Sequence, residues 1–339
     1  MTETDLQFPT PAARELLRVE DLNTSFETPR GQVRAVSDVS FSLDRSKTLG
    51  IVGESGSGKT VLSRSIMGLL PSAGVSKSGR VIFEGKDLQT ATASEMRTIW
   101  GARMSLIFQD PMTALNPCTR IGSQIAESLR LHLHLSAKEA KLQSIELLRQ
   151  VGIPSPLERA DAYPTQLSGG MRQRVVIAIA IACAPRLLLA DEPTTGLDVT
   201  VQAQILDLID ELRSEREMAM ILVSHDLGVV ATRTDEIAVM YAGKIVEKAP
   251  TKRLFANMRM PYTEALLQST PKIQNPSHTR LQTIPGNPPD LTRIADGCSF
   301  APRCSYATEQ CRTQTPPLRQ NGSDSMHHFA CWNPIGTEA

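Results

Sequence analysis

The stretch IVGESGSGKT, Ile51 to Thr60, carries the spacing G-x-x-x-x-G-K-T. It follows TLGIV, a short apolar run that reads as a buried strand. It precedes VLSRSIMGLL, whose apolar residues recur at helical spacing. Strand, glycine-rich loop, helix is the context a phosphate loop requires. Gly53, Gly56 and Gly58 would let the backbone wrap closely around phosphates, with Ser55 and Ser57 in the same turn completing the nucleotide-binding set. Successive N–H groups and the positive end of the helix would face the anion. Lys59 would reach the β- and γ-phosphates, and the Thr60 hydroxyl would hold Mg²⁺. A Gly/Ser-rich turn can match this spacing by chance, but not readily between a strand and a helix.

Downstream, RLLLADEPTTGLD spans Arg186 to Asp198. Its apolar run reads as a central parallel strand buried on both faces. Asp191 and Glu192 close it, at the end where open α/β sheets bind ligands. Asp191 would support Mg²⁺, and Glu192 would polarise the attacking water as general base. Two exposed carboxylates at a strand end would be the bland alternative; the phosphate loop upstream favours the catalytic one.

LSGGMRQR, Leu167 to Arg174, opens a long helix with Ser168, Gly169 and Gly170. Such an N-terminus can be an ordinary cap or a second anion site. Placed just before the acidic strand, the motif closely resembles the signature of the ATP-binding subunits of ABC transporters. The resemblance implies that Ser168, Gly169 and Gly170 contact the γ-phosphate bound by an opposite subunit. Met171 stands where that family most often has Gln, a departure frequent in its peptide-transport branch.

Other motifs of the family follow in order. LIFQDPMTALNP, Leu106 to Pro117, places Gln109 at the Q-loop position, where the family links Mg²⁺ and water to the helical subdomain. TTGLDVT places Asp198 in the D-loop at the dimer interface, and ILVSHDL places His225 where it would touch the γ-phosphate. Phe26, in LNTSFETP, is either the adenine-stacking ring or an ordinary strand aromatic. The resemblance thus implies an ATPase, with two ATP molecules held between two subunits, identical or paralogous. Two separate permease subunits and an extracytoplasmic substrate-binding protein are its expected partners. Peptide import is the expected task. Systems similar to this branch also carry nickel, glutathione and sugars. A soluble ABC protein acting on DNA or ribosomes is the other class, disfavoured because there is one core and no sustained heptads.

The expected fold is α/β: a RecA-like P-loop core, an antiparallel β subdomain, an inserted helical subdomain and a Pro/Cys-rich C-terminal extension. Residues 1–15 form an N-terminal tail, 16–260 the ATPase domain and 261–339 the extension. Leu16 to Asp44 reads as short strands, GRVIFEGKDL as a hairpin-like piece, and Ile121 to about Val151 as helical, within a helical subdomain of about 110–166. His132 and His134, two apart, do not share a helix face, which argues against a metal pair. After Lys248 come MRMPYTEALLQSTPKIQNP and LQTIPGNPPDLTRIADGC, where proline is expected to exclude regular helices and strands. Both resemble the C-terminal extension of oligopeptide and dipeptide ABC ATPases.

Lys plus Arg and Asp plus Glu each total 36 in the 339 residues, and nothing in that balance points to nucleic acid. The longest apolar run, Val175 to Ala184, is stopped by Pro185 and Arg186, short of the roughly 20 residues of a span. MTETDLQFPTPAAREL has neither a basic n-region nor an apolar h-region, so no signal peptide is expected. The expected location is the cytoplasmic face of the membrane, peripherally bound.

Four of the six cysteines crowd the end of the chain: Cys298, Cys304, Cys311 and Cys331. Their spacing fits neither a zinc-finger pair nor the ferredoxin run. Soft thiolates suit zinc or an iron–sulfur cluster, and the residues alone leave those and an unliganded or disulfide state open. His327 and His328 could supplement a zinc site. In the resembling family this cysteine set binds a [4Fe–4S] cluster, so the resemblance implies those four ligands, with zinc as the alternative. Cys118 and Cys183 are expected to be buried apolar residues.

Overall fold

The computed structural model describes residues 14–269, 283–293 and 296–336. The N-terminal tail falls almost wholly outside them.

The chain opens with two long antiparallel strands, β1 (Glu15–Thr28) and β2 (Gly31–Asp44). Short strands were expected over this stretch. The polar residues that suggest breaks lie instead at bulges, where Asp21 and Asp38 take positive φ and the register shifts without ending the ladder. Next comes β3 (Thr48–Val52), buried at every position, and then α1 (Lys59–Ile66). That helix is shorter than its apolar pattern suggests, because Gly68 turns left-handed just beyond it. β4 (Val75–Phe83) and β5 (Lys86–Asp87) form the expected hairpin, with Glu84 and Gly85 both at positive φ in its two-residue turn.

After α2 (Ala93–Ile99) and β6 (Met104–Ile107) the helical subdomain follows. It comprises α3 (Pro111–Ala114), α4 (Ile121–Leu133), α5 (Ala137–Gln150) and α6 (Pro156–Arg159). The single expected helical stretch is two helices. His134 turns left-handed after α4, and Ser136 with Glu139 forms a capping box that starts α5. The core resumes with α7 (Gly169–Ile181), β7 (Leu187–Asp191), α8 (Val199–Glu215), β8 (Ala219–Ser224), α9 (Leu227–Ala231), β9 (Glu236–Tyr241) and β10 (Lys244–Pro250).

Among the described residues the strands form two sheets. β2-β1-β4-β5 is antiparallel. The larger sheet runs β11-β12-β10-β9-β3-β8-β7-β6, parallel from β9 to β6. Alternation along its strands divides the interior. Leu187, Leu189, Ile221 and Ile51 face the antiparallel subdomain, while Leu188, Ala190, Leu222 and Val52 face the helical side.

α10 (Thr251–Ala256) follows β10. The extension then corrects one expectation: α11 (Pro261–Gln268) is a regular helix inside the proline-rich stretch MRMPYTEALLQ. Pro261 is at the first helical position, where its missing N–H costs nothing. After α12 (Glu309–Thr313), β11 (Arg319–Asn321) and β12 (Asp324–Phe329) add two antiparallel strands to the core sheet through β10. The pairing is fixed from inside by Glu247 on β10, fully buried. Its carboxylate accepts from the N–H groups of Arg259 (2.7 Å) and Met260 (3.2 Å) and lies 2.8 Å from His327 Nε2. His327 is therefore part of this clamp and of a contact to Asn321, not an extra metal ligand. No helix among the described residues is long and apolar enough to cross a membrane.

Candidate functional site

β3, β8 and β7 are neighbours in the sheet, so their carboxyl ends deliver the phosphate loop, His225 and the Asp191–Glu192 pair to one edge. The loop is shaped by close backbone approach. A side chain at Gly58 would collide with the Ala35 carbonyl oxygen, and one at Gly53 with that of Met240. Gly58 has φ 104°, a region open to glycine. It stands immediately before α1, whose first residues, Lys59 and Thr60, carry no acidic neighbour in the first turn. An anion at this helix start therefore meets free N–H groups and the positive end of the dipole.

A cleft of about 360 Å³ lies over the loop. It is lined by the expected Phe26, Ser55, Gly56, Gly58, Lys59, Thr60, Gln109 and Glu192, and also by Val33 and Leu291. Phe26 is half-buried on β1 and faces the same space as the loop. Ser57 is buried beneath it, its hydroxyl without a hydrogen-bond partner.

Lys59 is buried, and its ammonium donates to the carbonyls of Gly53 (2.7 Å) and Glu54 (3.0 Å), 3.9 Å from Glu192. Burial pulls its pKa below the ordinary lysine value, against the opposing pull of Glu192, Asp191 and Glu54. The Thr60 hydroxyl donates to Asp191 Oδ1 at 3.1 Å. Asp191 is buried, and that burial raises its pKa. Glu192 behaves oppositely. Its carboxylate accepts from Gln109 Nε2 (3.2 Å) and the Thr195 hydroxyl (3.0 Å), and His225 Nδ1 lies 3.4 Å away. The His225 contact is the main cause of its lowered pKa, and the same contact raises that of His225.

Ser168, Gly169, Gly170 and Asp198 do not line this cleft. Ser168 caps α7 through the Met171 N–H, and Asp198 caps α8 through the Val201 N–H (3.0 Å). The two caps are adjacent: a side chain added at Gly170 would press on Val201, and one at Gly169 would touch Leu197. The signature and D-loop thus form one surface, separate from the chain's own phosphate loop.

Two features of the site had no signal in the sequence. Leu291, in the extension, lines the cleft, held where the Arg34 N–H donates to its carbonyl (3.2 Å). Glu54, inside the phosphate loop, is grasped by Tyr262 and Arg303.

The four C-terminal thiols are free, and each of Cys298, Cys304 and Cys331 feels the charge of others in the set. The Cys298 N–H donates to the Cys311 carbonyl (2.7 Å). Burial raises the pKa of Cys298 and Cys304 and pushes that of Cys331 up to about 12, with the charges of the other cysteines adding. Among the described residues no three His, Cys, Asp or Glu side chains are arranged to hold a metal ion. Cys183 is buried as expected, but Cys118 is exposed on the loop before α4, where no apolar face covers it.

Residues 36–195 match the family profile of the ABC transporter, and residues 246–311 that of the oligopeptide/dipeptide transporter C-terminal region. The oligopeptide transport ATP-binding protein OppD of Bacillus subtilis is 50% identical over 94% of this chain and 88% of its own length. The dipeptide transport ATP-binding protein DppD of Escherichia coli is 46% identical over 93% of this chain and 96% of its own. Among solved structures, a dimeric post-hydrolysis state of the ATP-binding cassette MJ0796 bound to ADP and Pi superimposes with a TM-score of 0.63. It is 24% identical and covers 70% of this chain and 99% of that one. CbiO1 of Clostridium perfringens, part of the ABC transporter complex cbiONQ, gives a TM-score of 0.60 at 26% identity, over 72% and 91% of the two chains.

Proposed function

From the premise that the chain belongs to the ATP-binding proteins of ABC transporters, in their oligopeptide and dipeptide branch, we propose that it hydrolyses ATP to drive peptide import through separate permease subunits. The observation that carries the chemistry is Glu192, lodged among Lys59, Gln109, Thr195 and His225 at the mouth of the phosphate loop.

In this reading Phe26 stacks on adenine. The N–H groups of Ser55, Gly56 and Gly58 to Thr60, with the Lys59 ammonium, receive the phosphates. Thr60, Asp191 and Gln109 would hold Mg²⁺; all three offer oxygens, which suit a hard cation, and the Thr60 hydroxyl and Asp191 carboxylate already face each other. Magnesium, when bound, neutralises charge on the β- and γ-phosphates. Gln109 orients water beside Glu192, which accepts its proton, and His225 donates towards the γ-phosphate. Ser168, Gly169, Gly170 and Asp198 serve a second ATPase subunit, identical or paralogous, so each nucleotide lies between two chains. Closure around ATP then moves the permeases. The chain works peripherally at the cytoplasmic membrane face, and an extracytoplasmic binding protein selects the substrate.

For the extension we propose Cys298, Cys304, Cys311 and Cys331 as ligands of a [4Fe–4S] cluster, zinc being the alternative. Four free thiols drawn into one neighbourhood support this, since sulfur is the donor both require. Ligation would need deprotonated thiols turned towards one another. Its role would be structural, replacing a core that a short proline-rich segment cannot build. Chain purified without oxygen should contain about four irons and four sulfides. One zinc without iron would select the alternative, and neither metal would end the ligand assignment.

The functional reading is tested with the reconstituted transporter. Glu192→Gln should lower hydrolysis about 100-fold or more and trap an ATP-bound dimer. Unchanged hydrolysis would remove Glu192 as base. Deleting the subunit should abolish labelled peptide uptake; intact peptide uptake, with loss of nickel, glutathione or sugar uptake, would reassign the substrate.

A further inference from the structure

Glu54 is the second residue of the phosphate loop after Gly53, and every polar group it has is engaged. Its N–H donates to the Tyr262 hydroxyl (2.8 Å). Its carbonyl accepts from Lys59 Nζ (3.0 Å) and from the Ser57 N–H (3.1 Å). Its carboxylate takes a bidentate pair from Arg303 Nη1 (2.6 Å) and Nη2 (3.0 Å). Arg303 is itself fixed. Its Nε donates to the Pro285 carbonyl (2.8 Å), Nη1 also reaches the Tyr241 hydroxyl (3.3 Å), and its side chain is 5% exposed. It follows the tightly packed ring of Phe300, which meets Tyr241 and Tyr262 edge-on at 5.3 Å. Arg303, Phe300 and Tyr262 all belong to the part of the chain beyond the ATPase core.

We propose that Arg303 is a positioning residue for nucleotide binding: it pins and neutralises Glu54, so that the loop stays open to phosphate and the Glu54 carboxylate does not compete with it for Lys59. The reason is electrostatic. Glu54 is one of three carboxylates acting on Lys59. Without its arginine partner, a half-buried carboxylate at the loop would repel incoming phosphates and compete for the same ammonium. A buried Arg–carboxylate fork is rigid and strong, and removal of one member leaves the other uncompensated. The geometry also makes the loop sensitive to the extension, because Arg303 immediately precedes Cys304.

The test uses the full-length chain and MgADP, with affinity measured by calorimetry and melting temperature as a fold check; it rests on the phosphate loop being the nucleotide site. Arg303→Met should weaken MgADP binding about tenfold. In the assembled transporter it should raise KM for ATP more than it lowers kcat. Adding Glu54→Gln to Arg303→Met should restore most of the affinity, which loss of packing alone would not allow. Wild-type affinity in a folded Arg303→Met chain overturns the proposal, and so does a double variant no tighter than the single one. Should Arg303→Met fail to fold, Arg303→Lys replaces it. It keeps the charge but loses the fork, so about a threefold loss is expected, again recovered with Glu54→Gln. Unchanged affinity there is equally fatal. A wild-type chain that bound no MgADP would overturn the nucleotide reading as well, which distinguishes the two failures.

Discussion

Glu192 sits at φ 46°, in the left-handed region, with its N–H donating to the Val223 carbonyl at 3.0 Å. Such a conformation costs about 1–3 kcal/mol for a residue with a side chain. The neighbouring strand holds it there, and the carboxylate is thereby aimed across the cleft at Lys59 and His225. The Glu192–His225 contact has a definite pH signature. His225 has a raised pKa, so its contribution to stability is complete below the ordinary histidine value and is lost as pH rises through the folded one. Glu192 has a lowered pKa, so its contribution is complete above the ordinary glutamate value and is lost as pH falls through the folded one. Both contributions are complete together between the ordinary glutamate and histidine values, about pH 4.3 and 6.5. In Glu192→Gln the His225 titration, followed by NMR, should move down; an unmoved midpoint would mean that the contact does not form in solution. That these residues converge was legible because their motifs place them directly after parallel strands, whose carboxyl ends share one edge. Glu54 was not, because its partner Arg303 is 249 positions away and nothing local to GESGSGKT marks a carboxylate that needs one.

At the scale of elements, the parallel strands were readable from unbroken apolar runs such as TLGIV and LLLAD, which burial on both faces requires. The long hairpin of β1 and β2 was less so, since bulges at Asp21 and Asp38 imitate turns. The extension's contribution was least readable. β12 joins β10 through Glu247↔Phe329 and Lys248↔His328, and DSMHHF carries little of the alternation a strand usually shows. What seats it is the buried Glu247 clamp, reinforced by Arg259 stacked on Phe329 at 5.3 Å. Glu247→Ala leaves two backbone N–H groups and His327 without their acceptor. It should cost about 3 kcal/mol in denaturant unfolding. A change below about 0.5 kcal/mol, the range of ordinary surface substitutions, would show that the clamp is not what holds the extension to the sheet.

For the whole molecule, the motif residues fall into two separate groups. The phosphate loop and Glu192 share one cleft, whereas Ser168, Gly169, Gly170 and Asp198 lie together outside it. In the proposed function each group completes a site with its counterpart on a second chain. Ser168→Arg should leave MgADP binding by the isolated chain within about twofold, as expected for a surface change away from that cleft. It should abolish both the MgATP-dependent dimer of the Glu192→Gln chain and hydrolysis in the assembled transporter. Dimerisation that survives the arginine would place the signature elsewhere than at the partner's nucleotide.

The sequence by itself determined the nucleotide chemistry, the α/β core and the family. Those rest on contiguous motifs and on apolar periodicity, which are local properties of a chain. The tertiary structure alone decided how the C-terminal extension is used. It brings Leu291 to the cleft, Arg303 and Tyr262 onto Glu54, and β12 onto the edge of the core sheet. Each of these contacts joins residues far apart in the chain. A buried carboxylate selects its arginine by position in space, and no spacing in the sequence records that choice.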